Sequence, residues 1–224
     1  AVRYCRADPL FIDTDRTTLG FDMAQLADYL RTGTERRNDG VYDKATQRRL
    51  GACLPVHLFG HVSRLDELVA LCAEHDVTLI EDSAEAMGSF FQGRHAGTFG
   101  HVGVLSFNGN KTITTGGGGM VITDDEAVAK RIRHITTTAK VAHRWEFFHD
   151  ELGYNYRLTN LNAAIGVAQM EQLDRYITSK RAIAARYAEF FGNGSTQHFA
   201  EPADCHSNYW LNVILLPDRT ERDA

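Results

Sequence analysis

Short apolar runs of strand length alternate along this chain with longer stretches whose apolar residues recur at helical spacing. No other feature limits the fold as strongly. "PLFID" (Pro9 to Asp13) is a short extended run, and "GFDMAQLADYLRTG" follows with Met23, Leu26, Ala27 and Leu30 on one helical face. "GACLPVHLFG" (Gly51 to Gly60) reads as a second strand. "VSRLDELVALCAEHD" reads as a helix with Ser63 as N-cap, Glu67 close by, and Leu65, Leu68, Val69 and Cys72 as its buried stripe. "VTLIEDSA" is a third strand, whose apolar run stops at Glu81 and Asp82; "VGVLSF" and "GMVIT" are further strands, and "DEAVAKRIRHI" is a helix. Strand, helix, strand at these lengths predicts an α/β fold, a mostly parallel sheet with helices on both faces.

From Tyr156 to Phe191 the pattern becomes one or two long helices with a break, and "SNYWLNVILLPD" beyond them reads as the first strand of a smaller C-terminal element. The stretch from Arg31 to Arg49 is polar, charged and turn-rich, a composition expected of a surface excursion that buries little apolar area. "AVRYCRADPLFID" opens inside what reads as a helix end running into a strand, with no initiator Met, so the start of the protein is expected to be missing. The division expected is a partial large domain over residues 1–160 and connecting helices with the start of a small domain over 161–224.

A chain of 224 residues can bury a sizeable core, and a net charge of −5 gives no electrostatic reason to expect nucleic acid or an anionic membrane as partner. No window approaches the roughly 18 consecutive apolar residues of a membrane helix. Cys5, Cys53, Cys72 and Cys205 are far apart, form no CxxC pair, and follow no signal peptide, so they read as reduced thiols and the expected location is the cytoplasm.

Ligands of open α/β sheets bind beyond the carboxyl ends of strands, which directs attention to Asp82 after "VTLIE", Ser106 after "VGVL", and His57 within "LPVHLFG". Each alone is more often a cap or a satisfied polar group than a site residue. Lys111 stands between a Ser-Phe-Asn-Gly turn and the run Gly116 to Gly119. Together, Lys111, Asp82 and Ser106 are the groups a pyridoxal phosphate site requires: an amine for the aldehyde, a carboxylate for the ring nitrogen, and a hydroxyl beside backbone amides for the phosphate. Glycines beside the lysine let backbone pass close to a flat ring.

The blocks "PVHLFGH", "IEDSAEAMGSFFQGRHAGTFGHVGVLSFNGNKTITTGGGGMVIT" and "LGYNYRLTNLNAAIGVAQMEQLD" resemble, in order and spacing, the DegT/DnrJ/EryC1/StrS family of sugar aminotransferases. The resemblance runs from Ala1 to about Phe191 and implies the aspartate aminotransferase type I fold. "GNKTITTGGGG" and "TTTAKVAHRWEFFHDELGYNYR" are similar to the LegC subgroup, whose members aminate a UDP-linked 4-keto-6-deoxy-N-acetylhexosamine on the route to legionaminic-type nonulosonic acids.

By that resemblance Lys111 carries the cofactor and moves protons, Asp82 lies under the pyridine nitrogen, and Ser106 binds the phosphate. Asn155 reaches the phosphate of a neighbouring subunit, which implies a homodimer with shared sites. Glu85 stands where the family has Gln or His near the phenolic oxygen, a place where a carboxylate repels a phenolate. Asn108, Tyr154 and Arg157 are substrate contacts, with a polar helix start as the other reading of Asn155 and Arg157. His57 lines the sugar pocket or is structural. The partners implied are a nucleotide-linked keto sugar and an amino acid donor such as glutamate. Lysine at this position favours transamination over the dehydration of a relative that carries histidine there. The family also places a phosphate-binding Gly-Ser/Thr turn and a stacking aromatic ring before the point where this sequence begins, which keeps open a non-catalytic subunit as the alternative.

Other constellations carry less. His57 and His61 have the spacing of a helical zinc pair, but Gly60 and a strand-like context oppose a helix. No Gly-Lys-Ser/Thr follows the glycine run, so a Walker-type nucleotide site is rejected. Trp145 and Trp210 read as packing anchors.

Overall fold

The structure is a computed structural model and describes residues 1–62, 64–192 and 196–223. After a 3-10 turn at Val2–Cys5, Asp22 accepts a hydrogen bond from the Gln25 amide at 3.0 Å and starts helix α1 (Met23–Asp28), which buries Met23 and Leu26 and loosens into a π turn at Tyr29–Gly33. The run expected to be a loose excursion then folds back on itself as the hairpin of β1 (Thr34–Arg37) and β2 (Gly40–Asp43). Two observations explain the difference. Val41 is buried among the residues packed on α1, and the buried Asp43 carboxylate is satisfied by Tyr29 Oη at 2.9 Å and by the Thr46 amide and hydroxyl at 2.6 Å. The arginines face water while the hairpin keeps one apolar contact.

Helix α2 (Leu65–Glu74) buries Leu65, Leu68 and Cys72, with Val69 packed beside them, as its stripe predicts; the expected cap Ser63 lies outside the described residues. β3 (Ile80–Asp82) follows, then the short hairpin β4 (Phe90–Phe91) and β5 (Arg94–His95), then β6 (Val102–Ser106) and β7 (Gly119–Ile122). β3 and β6 run parallel with Asp82 opposite Val104, while β6 and β7 run antiparallel with Ser106 opposite Gly119.

On the other side of β3, Cys53 and Val56 form parallel bridges to Leu79 and Asp82. The Gly51–Gly60 run thus flanks the sheet without becoming a regular strand. Pro55 has no amide to donate, and only its carbonyl takes part, accepting from the Asp82 amide at 2.9 Å. The Pro9–Asp13 run forms no strand either; its neighbour Thr14 bridges Phe21.

Asp125 caps α3 (Glu126–Thr136) through the amides of Ala127 and Val128. A small hairpin, β8 (Lys140–Val141) and β9 (Phe148–His149), leads to α4 (Asn160–Met170), capped by Thr159, and to α5 (Leu173–Phe191). The expected break in the long helical stretch is therefore Glu171–Gln172. The C-terminal strand is far shorter than its apolar letters suggest: β10 (Gln197–His198) pairs with β12 (Ile214–Leu215), β11 (Cys205–His206) adds to β4, and α6 (Arg219–Asp223) follows. Residues 207–210 are instead drawn inward, all four buried, by contacts described below.

Candidate active site

β3 carries two consecutive carboxylates, and strand geometry sends neighbours to opposite faces. Glu81 points into the protein, fully buried: its Oε1 accepts from the amides of Phe99 and Gly100 at 2.6 Å, and its Oε2 accepts from the Gly97 amide at 2.8 Å and lies 3.0 Å from His57 Nε2. Burial acts to raise the Glu81 pKa. The hydrogen bond from His57 and the amides of Gly100 and Gly97 outweigh it and hold the carboxyl below the usual range. This clamp fastens the 97–100 turn against β6, and Gly103 is where it comes closest: a Cβ there would strike the backbone of Gly97. Asp82, half-buried on the other face, accepts from the Ala84 amide at 3.1 Å.

Because β3 and β6 are parallel neighbours, Asp82 and Ser106 share one edge of the sheet. Ser106 is half-buried, and its hydroxyl accepts from the Asn108 amide at 3.3 Å. Beyond it the chain makes a closed loop back to β7. Phe107 N donates to Gly118 O at 2.9 Å, Thr115 N to Phe107 O at 3.0 Å, and Lys111 N to Asn108 O at 3.0 Å. Gly116 and Gly118 sit at φ 81° and 99°, the left-handed region that other residues resist, which is one reason the loop after the lysine is glycine-rich. Phe107 and Ile113 are buried with Met87 and Leu105 against Leu173 and Tyr176, so the lysine loop is anchored to α5.

Lys111 is held from two sides. Its Nζ lies 3.6 Å from Glu85 Oε1 and 3.8 Å from the centre of the Trp210 ring; the two charged side chains are 13% and 19% exposed. Glu85 Oε2 also accepts from the Phe59 amide at 2.7 Å. Trp210 is buried, and its indole donates to Asn110 O at 2.7 Å.

Sequence reasoning treats Trp210 as packing and misses its place on the lysine. It also misses Asn208, whose Nδ2 donates to Glu85 O, Met87 O and Thr112 Oγ1 at 2.9, 2.8 and 3.2 Å. The sequence signal for it is slight, an asparagine at the start of a largely apolar run that holds a second asparagine at 212. Trp145, by contrast, is 76% exposed and no packing anchor.

Asp82, Glu85, Ser106, Asn108 and Lys111 therefore come from the ends of β3 and β6 and the loops that follow them. His57 joins the sheet through its backbone, donating to Asp82 O at 3.0 Å, and its ring has no exposed surface: Nε2 meets Glu81 while Nδ1 has no partner among the described residues, a placement that favours the structural reading over the sugar pocket. Tyr154, Asn155 and Arg157 are exposed on a stretch paired with the end of α3, where Asn155 bridges Thr137 and Tyr154 stacks on Tyr156 at 5.1 Å. Among the described residues, none of these three has a hydrogen bond or ion pair to Asp82, Ser106 or Lys111.

The donor set suits pyridoxal phosphate: a part-enclosed amine, a half-buried carboxylate with one backbone partner, and a hydroxyl at a turn. On either side of the lysine in the loop, Gly109 and Gly117 face open space, with no described atom within 4 Å of where a Cβ would stand.

The family model for DegT/DnrJ/EryC1/StrS aminotransferases matches residues 1–224. GDP-perosamine synthase of Escherichia coli O157:H7 is 38% identical over 223 residues, which cover 100% of this chain and 56% of that relative. EpsN of Bacillus subtilis (strain 168), named as a candidate pyridoxal phosphate-dependent aminotransferase, is 37% identical over 216 residues, 96% of this chain and 53% of that one. The crystal structure of the aminotransferase TlmJ from Streptoalloteichus hindustanus matches with a TM-score of 0.84 at 30% identity, covering 97% of this chain and 55% of that one. The chain thus spans about half the length of the curated relatives it matches.

Proposed function

Because the chain belongs to the DegT/DnrJ/EryC1/StrS aminotransferase family, we propose that it takes part in pyridoxal phosphate-dependent amino transfer to a nucleotide-linked 4-keto-6-deoxy sugar, with an amino acid such as glutamate as donor. The observation that carries this reading is Lys111, held part-enclosed in a glycine-bordered loop beside the sheet edge that presents Asp82 and Ser106.

When bound, the cofactor supplies an aldehyde that carries the amino group and a protonated ring that takes up electron density from the substrate carbon. Lys111 binds that aldehyde through its amine and, once free, moves a proton to and from the reacting carbon. Asp82 keeps the proton on the ring nitrogen. Ser106 and the amides of its turn hold the phosphate. Asn155, exposed on its own subunit, completes the phosphate site of a second copy in a homodimer, and Asn108, Tyr154 and Arg157 face the nucleotide sugar. Residues 1–160 form the cofactor-binding part in this reading, and 161–224 lead into a smaller domain.

Two finer readings of the sugar follow from different observations. The "GNKTITTGGGG" and "TTTAKVAHRWEFFHDELGYNYR" blocks favour a LegC-like UDP-linked N-acetylhexosamine derivative and legionaminic-type products, whereas the 38% identity to a GDP-perosamine synthase favours a GDP-linked sugar. No described helix is long and apolar enough to cross a membrane, and the four free thiols suit a reducing compartment, so we place the reaction in the cytoplasm. The test is to offer UDP- and GDP-linked 4-keto sugars with glutamate and follow 2-oxoglutarate and the amino sugar. One sugar class is expected to yield product with the wild-type chain and none with Lys111→Ala. No product from any sugar would favour the non-catalytic subunit.

A further inference from the structure

We propose that Glu85 and Trp210 form a fixed cradle that holds the Lys111 amine in the cofactor-free protein and that the lysine leaves, its walls staying in place, when the amine takes an aldehyde. Glu85 is then a positioning residue for the lysine and not a ligand of the cofactor's ring oxygen, a proposal that rests on Lys111 being the cofactor lysine.

The geometry fixes both walls. One oxygen of Glu85 is tied to the Phe59 amide at 2.7 Å, and the other faces Lys111 Nζ at 3.6 Å. Phe59 can present that amide because it and Gly60 adopt φ of 59° and 94°, which turns the chain sharply there. Trp210 is held at three points: its ring N–H donates to Asn110 O at 2.7 Å, its amide donates to Asn208 Oδ1 at 2.7 Å, and its carbonyl accepts from Lys180 Nζ at 3.1 Å. Asn208 links the walls, since its other amide atom donates to the carbonyl of Glu85 and to Thr112 Oγ1, next to the lysine. Neither wall can drift without breaking backbone hydrogen bonds.

Both contacts are made by the charged ammonium. Bond formation to an aldehyde needs the neutral amine: the ammonium gives a proton to solvent, nitrogen adds to the carbonyl carbon, and water leaves as the imine forms. The cradle therefore opposes capture while it aims the nitrogen. A carboxylate in a place where it would repel a phenolate makes sense if its partner in the cofactor-free protein is the lysine.

Glutamine at position 85 keeps an oxygen for the Phe59 amide and removes the charge. The experiment is reductive methylation of the folded chain with formaldehyde and cyanoborohydride, read by peptide mass spectrometry at Lys111 with exposed Lys130 as internal reference. Glu85→Gln and Trp210→Leu are each expected to raise the Lys111-to-Lys130 rate ratio about threefold, the scale of one partly exposed ion pair or cation–π contact. An unchanged or lower ratio in Glu85→Gln, with its thermal midpoint kept, overturns the cradle. A parallel set with pyridoxal phosphate and borohydride separates the two claims. Absence of label at Lys111 in every variant would sink the cofactor reading, while the methylation ratio still decides the cradle.

Discussion

His61 is buried against the edges of Phe199 and Tyr209, with ring centres 5.1 and 5.2 Å away, and neither ring nitrogen has a hydrogen-bond partner among the described residues. Burial pulls its pKa from 6.5 down to about 4, against the opposing pull of Glu201. A histidine whose pKa is depressed on folding contributes stability above its unfolded pKa and loses it as pH falls. The protein should therefore lose up to about 3 kcal/mol between pH 6.5 and 4 through this residue alone. His61→Leu should flatten that slope in urea titrations across the window.

Glu81 has the same sign at lower pH, since its carboxyl is held below the usual range: the stability it contributes is lost as pH falls through that range. Glu81→Ala, which strands His57 and three amides, should cost about 3 to 5 kcal/mol by denaturant unfolding at neutral pH. The sequence shows that the apolar run ends in Glu81 and Asp82, but not which carboxylate faces inward. That is decided by the turn at 97–100, whose amides meet only one face of β3.

Among the elements, those readable in advance carry their own local signals. Helix α2 has its apolar stripe, α3 its Asp125 cap, and α4 and α5 a long periodic run. The failures share one cause, contacts made outside the run itself. Gly51–Gly60 pairs with β3 through amides and carbonyls on either side of Pro55, which has no N–H to give, and the Arg31–Arg49 stretch becomes a hairpin because Tyr29 and Val41 give it a buried side. Residues 207–210 are the sharpest case, because their apolar letters suggest a strand while Asn208 and Trp210 reach loops 96 to 123 residues earlier.

That segment sets two further expectations. Gly60→Ala would drive a Cβ into the Asn208 side chain at a φ of 94° and should cost about 3 kcal/mol, read as a lowered thermal midpoint. Asn208→Ala would leave the carbonyls of Glu85 and Met87 without this donor. It should cost about 2 kcal/mol and make Trp210 emission more solvent-exposed in a Trp145→Phe background.

For the whole molecule, the family was legible in the order of three blocks, and the match over residues 1–224 agrees with it. The assembly of the site was less legible. The rule that ligands meet the carboxyl ends of strands points to Asp82 and Ser106 but also to His57, whose ring is buried, Lys111 is marked by its glycine-flanked turn, and Asn155 sits exposed and apart from them. That position suits a residue offered to a second copy. Mixing Lys111→Ala with Asn155→Ala chains should then restore part of the activity that each lacks alone, and no rescue would count against shared sites. The identity of the sugar is not legible, because no residue at the described edge of the sheet distinguishes one nucleotide from another.

The most direct measurement is the visible absorption spectrum of the protein titrated with pyridoxal phosphate, wild type beside Lys111→Ala. A saturable visible band in the wild type, gone in the variant, is the predicted result. A wild-type spectrum that is the plain sum of protein and free cofactor, or a band that survives loss of the lysine, would contradict it.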